Sequence, residues 1–297
     1  MSANFSAKNN APSLDLSPEE ASQLAQQLKD QILRGALQTK EQETINLMIA
    51  GLGDKNGLTR RAFSESLGII GKTALPGLLN ALRDNQNVTV RRAAAKTIKL
   101  VGDASALPYL LEALMNDQDP VVQGSSAGAM AIFGEDAVDH LLEVLRNPFS
   151  SSMQCGLASW ALAFIGSNAP KGVKKAAQSK NPIIRTAAIG ALEDLIKSSD
   201  DPESKSLLLK ALKDPVPEVR VEATRLIINL NDGIKVEKLL LNKLNDNELI
   251  VRKNAVLALM KLKSKNSIQT LKSLLLKEVD SSMINIIQLA INLIANK

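Results

Sequence analysis

A pattern that returns about every 32 residues constrains this chain more than any other feature. The position that opens the second half of each unit falls at Arg60, Arg91, Gln123, Cys155, Arg185, Arg220, Arg252 and Ile284, with successive spacings of 31, 32, 32, 30, 35, 32 and 32 residues. The segments LPGLLNALRDNQNVTVRRAAAKTIKLVG (Leu75 to Gly102) and LPYLLEALMNDQDPVVQGSSAGAMAIFG (Leu107 to Gly134) align without a gap. Each unit reads as an apolar helix, a short turn carrying Asp or Asn, a second helix opening on Val-Arg, and often a closing Gly. A helix pair of this size cannot bury its apolar faces alone, so the units must stack. The chain is predicted to be an all-α solenoid of helix-pair repeats. Gly71, Gly102, Gly134 and Gly166 are predicted to end second helices in a left-handed conformation.

The boundaries follow from local signals. Residues 1–17 are polar and rich in Asn, Ser and Ala, and are expected to form a disordered N-terminal tail. Ser17-Pro18-Glu19-Glu20 supplies an N-cap, a Pro at the first helical position and a Glu at the third, announcing a helix to about Gly35. Residues 18–297 are read as a single solenoid. Ser198 to Pro202 is expected to be a longer loop. The last unit, with Ile284, Ile286, Ile287, Leu289, Ile291, Leu293 and Ile294, is apolar for a terminal cap; either a partner subunit covers it or its stripe packs inward.

Composition excludes several classes. Aromatic residues make up 2% of the chain, so the core is aliphatic. A single Cys rules out a disulfide framework and a cysteine-rich zinc site, and points to a reducing compartment. The N-terminal stretch has no apolar signal-peptide core, and runs such as Leu157 to Ile165 are too short to span a bilayer, so a cytoplasmic protein without membrane insertion is expected. From residue 171 onward the chain carries 22 Lys and Arg against 14 Asp and Glu. These cations recur at solvent positions without interleaved aromatics, which reads as solvated helix faces and argues against nucleic acid. There is no P-loop, no dinucleotide turn and no pair of metal-ligating His, so no metal site or prosthetic cofactor is predicted. If the chain is an enzyme, it works mainly by binding and positioning.

One cassette stands out from this uniform frame. Leu107 to Gly166 holds the only His (His140), the only Cys (Cys155), the only Trp (Trp160), the only Tyr (Tyr109), and Phe133, Phe149 and Phe164. Elsewhere Asp54, Asp84, Asp214 and Asp246 precede Arg60, Arg91, Arg220 and Arg252 by six or seven residues, predicting a ladder of turn carboxylates paired with guanidinium groups. Gln123-Gly124 and Cys155-Gly156 interrupt it with small, uncharged residues that open space. A local break in a consistent pattern marks a candidate functional region. Two readings of its members remain open: the aromatics are core or pocket, Cys155 is an inert small hydrophobe or a reactive thiol, and His140 is idle or functional.

The repeats resemble HEAT repeats, and specifically the short HEAT-like units of the phycobilisome lyases. The residues that carry the resemblance are VRRAAAKTIKLVGDASALPYLLEALMNDQDPVV (Val90 to Val122) and GLASWALAFIG (Gly156 to Gly166), and it spans Thr44 to Ile196 with weaker repeats beyond. The chain is similar to E/F-type bilin lyases, which attach an open-chain tetrapyrrole to a cysteine of a phycobiliprotein and in some members also isomerise it. The resemblance implies a phycobilin as substrate, with a phycobiliprotein α or β subunit, phycoerythrin among the candidates, as acceptor. It also implies a second HEAT-repeat lyase subunit as a candidate partner. Some isomerising members carry a His-Cys pair; Met153-Gln154-Cys155-Gly156 has the Cys without an adjacent His. On this reading Tyr109, Trp160, Phe133 and Phe164 supply walls for a flat conjugated ligand, bordered by Gln123 and Gln154. Arg91 and Arg92 meet its propionates, and His140 and Cys155 are the candidate catalytic groups. The alternatives are a non-catalytic protein–protein scaffold and an accessory factor in phycobilisome turnover or bilin detachment.

Overall fold

The structure of the protein, a computed structural model, describes residues 17–35, 42–230 and 232–296. The expected disordered tail, apart from Ser17, lies outside them. The described residues form α-helices joined by turns and short 3-10 segments, with no strand, as an all-α solenoid requires. They divide into two compact units, one ending at Val144 and joined by Phe149–Ala161, the other comprising Leu145–Pro148 and the chain from Leu162 onward.

The first unit opens with α1 (Pro18–Leu33), whose start is the predicted capping box: Glu20 N donates to Ser17 Oγ at 3.3 Å, and Ser17 N donates to the Glu20 carboxylate at 2.8 Å. Helix pairs follow: α2 (Gln42–Gly51) with α3 (Gly57–Ile70), α4 (Leu75–Asp84) with α5 (Val88–Val101), and α6 (Leu107–Asn116) with α7 (Pro120–Met130). Then come α8 (Glu135–Arg146) and α9 (Ser152–Ile165), each of which ends beyond the unit's boundary. The second helices α3, α5 and α7 pack closely on one another, whereas α2, α4 and α6 touch less. Small residues permit that approach: a Cβ added at Gly68 would sit 2.8 Å from Leu100 Cβ, and Ala94, Ala95 and Ala127 are fully buried. Phe63, also fully buried, rests on Gly51. Gly102 ends α5 in the left-handed region (φ 69°, ψ 25°), while Gly134 (φ 54°, ψ −124°) takes a conformation open to glycine alone.

The second unit continues the pairing with α10 (Pro170–Ala176) and α11 (Pro182–Ser199), α12 (Pro202–Ala211) and α13 (Pro217–Leu226), α14 (Gly233–Lys243) and α15 (Leu249–Lys261), and α16 (Ile268–Leu275) and α17 (Ser281–Ala295). The longer loop expected at Ser198 to Pro202 is not there. Helix α11 runs through Ser199, with the Ser198 and Ser199 hydroxyls turned back onto the Asp194 and Leu195 carbonyls at 2.6 and 2.8 Å, and Asp200 (φ 54°) takes the left-handed cap that Gly fills elsewhere. In α17 the stripe of Met283, Ile287, Ala290 and Ile294 packs inward, while Leu289 and Leu293 stay half exposed.

The Arg ladder exists, but its pairing differs from the one expected. Each Arg donates one Nη1 to a backbone carbonyl of its own turn: Arg60 to Asp54, Arg91 to Asn85, Arg185 to Ser179, Arg220 to Asp214 and Arg252 to Asp246, at 2.6–3.1 Å. That bond aims the remaining edge of the guanidinium at the turn of the next unit. Arg91 therefore forks onto Asp117, Arg185 onto Asp214 and Arg220 onto Asp246, and Arg252 reaches Glu278. Asp84 pairs with its neighbour Arg83 instead of Arg91, and Asp54 offers Arg60 its carbonyl rather than its carboxylate. The ladder thus staples successive units together rather than tightening single turns.

Candidate functional site

The face built by the second helices of the first unit carries the features that suit a ligand. Between α3 and α5 runs a groove of about 470 Å³, within the size range of small-molecule sites. Arg60, Arg61, Arg92 and Lys96 line it, with Gly57, Ser64, Thr89, Ala93 and Val121 between them, and no carboxylate does. Arg92 forks onto Asp119 and holds that carboxyl at a pKa of about 2, with backbone donors from Val121 and Val122 adding to the effect. Among the described residues Lys96 makes no ion pair.

The repeat register explains what lies beside the groove. Lys96, Gly128 and Trp160 follow one another at intervals of 32 residues, as do Arg92, Gly124 and Gly156. They hold the same two places in three successive second helices. Where α5 presents cations, α7 presents backbone. A Cβ at Gly124 would meet Leu157 at 3.6 Å, and one at Gly128 would meet only the Trp160 ring edge, at 3.7 Å. At Gly156 nothing lies within 4 Å of a Cβ, so the space anticipated beside Cys155 is there. In the repeat register the glycine face of α7 thus lies between the cations of α5 and the Trp160 indole, which is 52% exposed and rests its edge on Gly128. A ring left half in water on a glycine floor offers its surface to a flat apolar ligand.

Of the other proposed walls, only Phe164 stands on α9 with Trp160. Tyr109 sits on the first-helix layer, lining a separate cleft with Leu79, Leu82, Arg83, Glu112 and Asn116. Phe133 is half-buried in the 3-10 turn after α7. Phe164, four residues after Trp160 on α9, is 60% exposed.

The polar candidates have structural employment. Arg91, 14% exposed, is held by Asp117 and the Asn85 carbonyl. Gln123 replaces an Arg but keeps its cap, donating Nε2 to the Asp117 carbonyl at 2.7 Å; its buried Oε1 has no partner. Position 149, where a longer side chain would need a carboxylate, is Phe149. Gln154 accepts from Ser151 N at 2.8 Å while its own N donates to Ser151 Oγ at 3.2 Å, a second capping box. Its Nε2 donates to the carbonyls of Leu114 and Met115, tying α9 to the end of α6. Gln154→Ala is expected to lower unfolding stability by about 1–3 kcal/mol, because it strands those buried carbonyls; a urea melt indistinguishable from the parent's contradicts this role.

His140 turns back on its own helix, Nδ1 lying 3.2 Å from the Asp136 carbonyl. Cys155 is half-buried, and among the described residues no His or cation is hydrogen-bonded to it. No cluster of three or more His, Cys, Asp or Glu is placed to hold a metal ion, and no helix is long and apolar enough to cross a membrane, among the described residues.

Comparison with known proteins adds an independent line. The HEAT-repeat family pattern matches residues 75–154 and 206–292. The bilin biosynthesis protein MpeU of Synechococcus sp. (strain WH8020) is 44% identical over 277 residues, covering 93% of each chain. Among solved structures, Kap121p bound to Pho4p is similar in fold at 13% identity, over 95% of this chain and 42% of that one, with a TM-score of 0.50. The complex of CpcE and CpcF of phycocyanin lyase from Nostoc sp. is 23% identical over 61% of this chain and 96% of that one, with a TM-score of 0.32.

Proposed function

The chain belongs to the HEAT-repeat family of phycobilin lyases, and from that premise we propose that it binds an open-chain tetrapyrrole and assists its thioether attachment to a cysteine of a phycobiliprotein subunit, phycoerythrin being one candidate acceptor. The observation that carries the reading is the half-exposed Trp160 ring beside the glycine face of α7 at Gly124 and Gly128. A conjugated tetrapyrrole gains dispersion and stacking contact from such a surface, and the glycine floor lets its plane approach the helix backbone.

The reaction asks for placement more than for group chemistry. A thiol of the acceptor adds across an exocyclic double bond of the bilin: the S–C bond forms, the π bond is consumed, and the thiol proton ends on the tetrapyrrole. No oxidant or further reactant enters. Holding the flat ligand in one orientation, so that one carbon and one face meet the acceptor thiol, converts a loose encounter into an ordered one. In this proposal the bilin is substrate, the acceptor supplies the nucleophile, and Cys155 and His140 have no covalent role. Cys155→Ser is accordingly expected to retain chromophore transfer within about twofold of the parent; an inactive Ser variant that melts like the parent would assign Cys155 a thiol relay.

A second HEAT-repeat subunit is proposed as partner, in keeping with the half-exposed Leu289 and Leu293 of α17. The deciding experiment is co-expression of the chain with a bilin source and phycoerythrin α or β subunits, read by acceptor absorbance and peptide mapping of the bilin-bearing cysteine. Attachment that depends on the chain supports the proposal. Acceptor coloured equally well in its absence ends it, and bilin held by the chain without transfer assigns it a carrier role instead.

A further inference from the structure

We propose that the α3–α5 groove is the anion subsite of the same surface, and that it takes the two propionate side chains of the tetrapyrrole whose rings lie over Gly128 against Trp160. This inference rests on the bilin reading above and deepens it. Charge around the groove is unbalanced in a specific way. Glu65 beside it is already met by Lys29 as well as by Arg61, and Asp119 is met by Arg92. Arg60 spends its Nη1 on the neutral carbonyls of Asp54 and Lys55, and Lys96 has no ion-pair partner among the described residues. Arg60, Arg61 and Lys96 are therefore in excess over the nearby carboxylates, in a concavity that no carboxylate lines. Two carboxylates restore the balance there and gain charge-assisted hydrogen bonds from guanidinium and ammonium donors.

The register supplies the distance. Lys96 and Trp160 occupy the same place in α5 and α9, with Gly128 of α7 between them. Two steps between packed helices separate the α5 and α9 axes by roughly 16–20 Å, and the Trp160 ring reaches back across one of them, its edge 3.7 Å from a Cβ built at Gly128. A molecule anchored by its acid groups at Arg61 and Lys96 therefore has about one helix spacing, roughly 8–10 Å, to cover before it meets the indole. A flat ring system with acids projecting from its middle meets both requirements, with its acid edge turned to the groove.

The test uses the full-length chain and two probes, biliverdin and its dimethyl ester, titrated by absorbance and tryptophan fluorescence. The parent is expected to bind the diacid at least about tenfold tighter than the diester, with the difference shrinking in 1 M salt. Arg61→Ala combined with Lys96→Ala, both changes at exposed side chains, is expected to lower that ratio below about threefold while leaving the diester affinity and the melting temperature unchanged. Lys96→Gln alone, should the double variant fold poorly, is expected to lose about half of the discrimination on a logarithmic scale. Equal affinity of the parent for both probes overturns this inference and leaves the bilin reading standing, as does discrimination that survives in the variants. Binding of neither probe removes the bilin reading itself. Succinate, a dicarboxylate without rings, is expected not to displace biliverdin at equal concentration; displacement would make the groove a general anion site and defeat the proposal.

Discussion

Trp160→Ala is expected to cut the yield of bilin-bearing acceptor by about tenfold or more per folded molecule, while moving the melting temperature by only a few degrees. The two quantities separate because the ring is 52% exposed and packs by one edge over Gly128. A tryptophan in a core leaves a large cavity when truncated, at about 3–5 kcal/mol; a half-exposed one leaves little. Losing a stacking wall costs ligand binding about 1–3 kcal/mol, roughly five- to 150-fold in affinity. Tyr109→Ala serves as the contrast, since that ring lies in the other layer and in a different cleft. Yield that merely tracks the amount of folded Trp160→Ala protein would place the bilin elsewhere.

How far the sequence foretold this surface depends on which residue is considered. The interval of about 32 residues was enough for the fold, because the apolar faces it generates have no partner other than the next unit. It also held an unread signal: stepping from Trp160 by one register gives Gly128 and by two gives Lys96, so the glycine face and the cations beside it are legible in the alignment of units. Clustering of rare residues was a coarser guide. It grouped Tyr109 with Trp160, although one stands on a first helix and the other on a second. Pairing of the ladder was not legible at all, since carboxylates six or seven residues before an Arg and carboxylates 26 to 29 residues after it both recur along the chain. What decides is the bond to a carbonyl of the Arg's own turn, which leaves the other edge of the guanidinium facing the carboxylate of the next. Gln154 had a readable role, as Ser151-Ser152-Met153-Gln154 has the spacing of a capping box, and its function is to hold α9 in place.

Arg220→Ala is expected to destabilise the second unit by about 2–3 kcal/mol without altering transfer per folded molecule. Arg220 forks onto Asp246 at 2.8 and 3.0 Å, the two side chains are 13% and 7% exposed, and the same guanidinium caps the Asp214 carbonyl. Truncation leaves Asp246 buried with Lys243, 3.0 Å away, as its remaining cation, which keeps the loss below that of a wholly stranded charge. Arg252, with a single bond of 3.1 Å to Glu278, should cost less, and the exposed Arg83–Asp84 pair less than about 1 kcal/mol. The pH dependence identifies the cause. Burial pushes the Asp246 carboxyl up, but the bonds from Arg220 and Lys243 prevail and hold its pKa at about 2, below the roughly 3.9 of an unfolded Asp. A carboxylate depressed in the folded state contributes stability that is fully present above the unfolded value and is lost as pH falls through the folded one. The gap between parent and variant in urea melts should therefore be constant from pH 7 to about pH 5 and narrow as the pH falls from about 4 toward 2. A gap that is absent at pH 7, or that does not change in acid, would show that this pair does not staple the units, and normal melting with lost transfer would move Arg220 from the frame to the site.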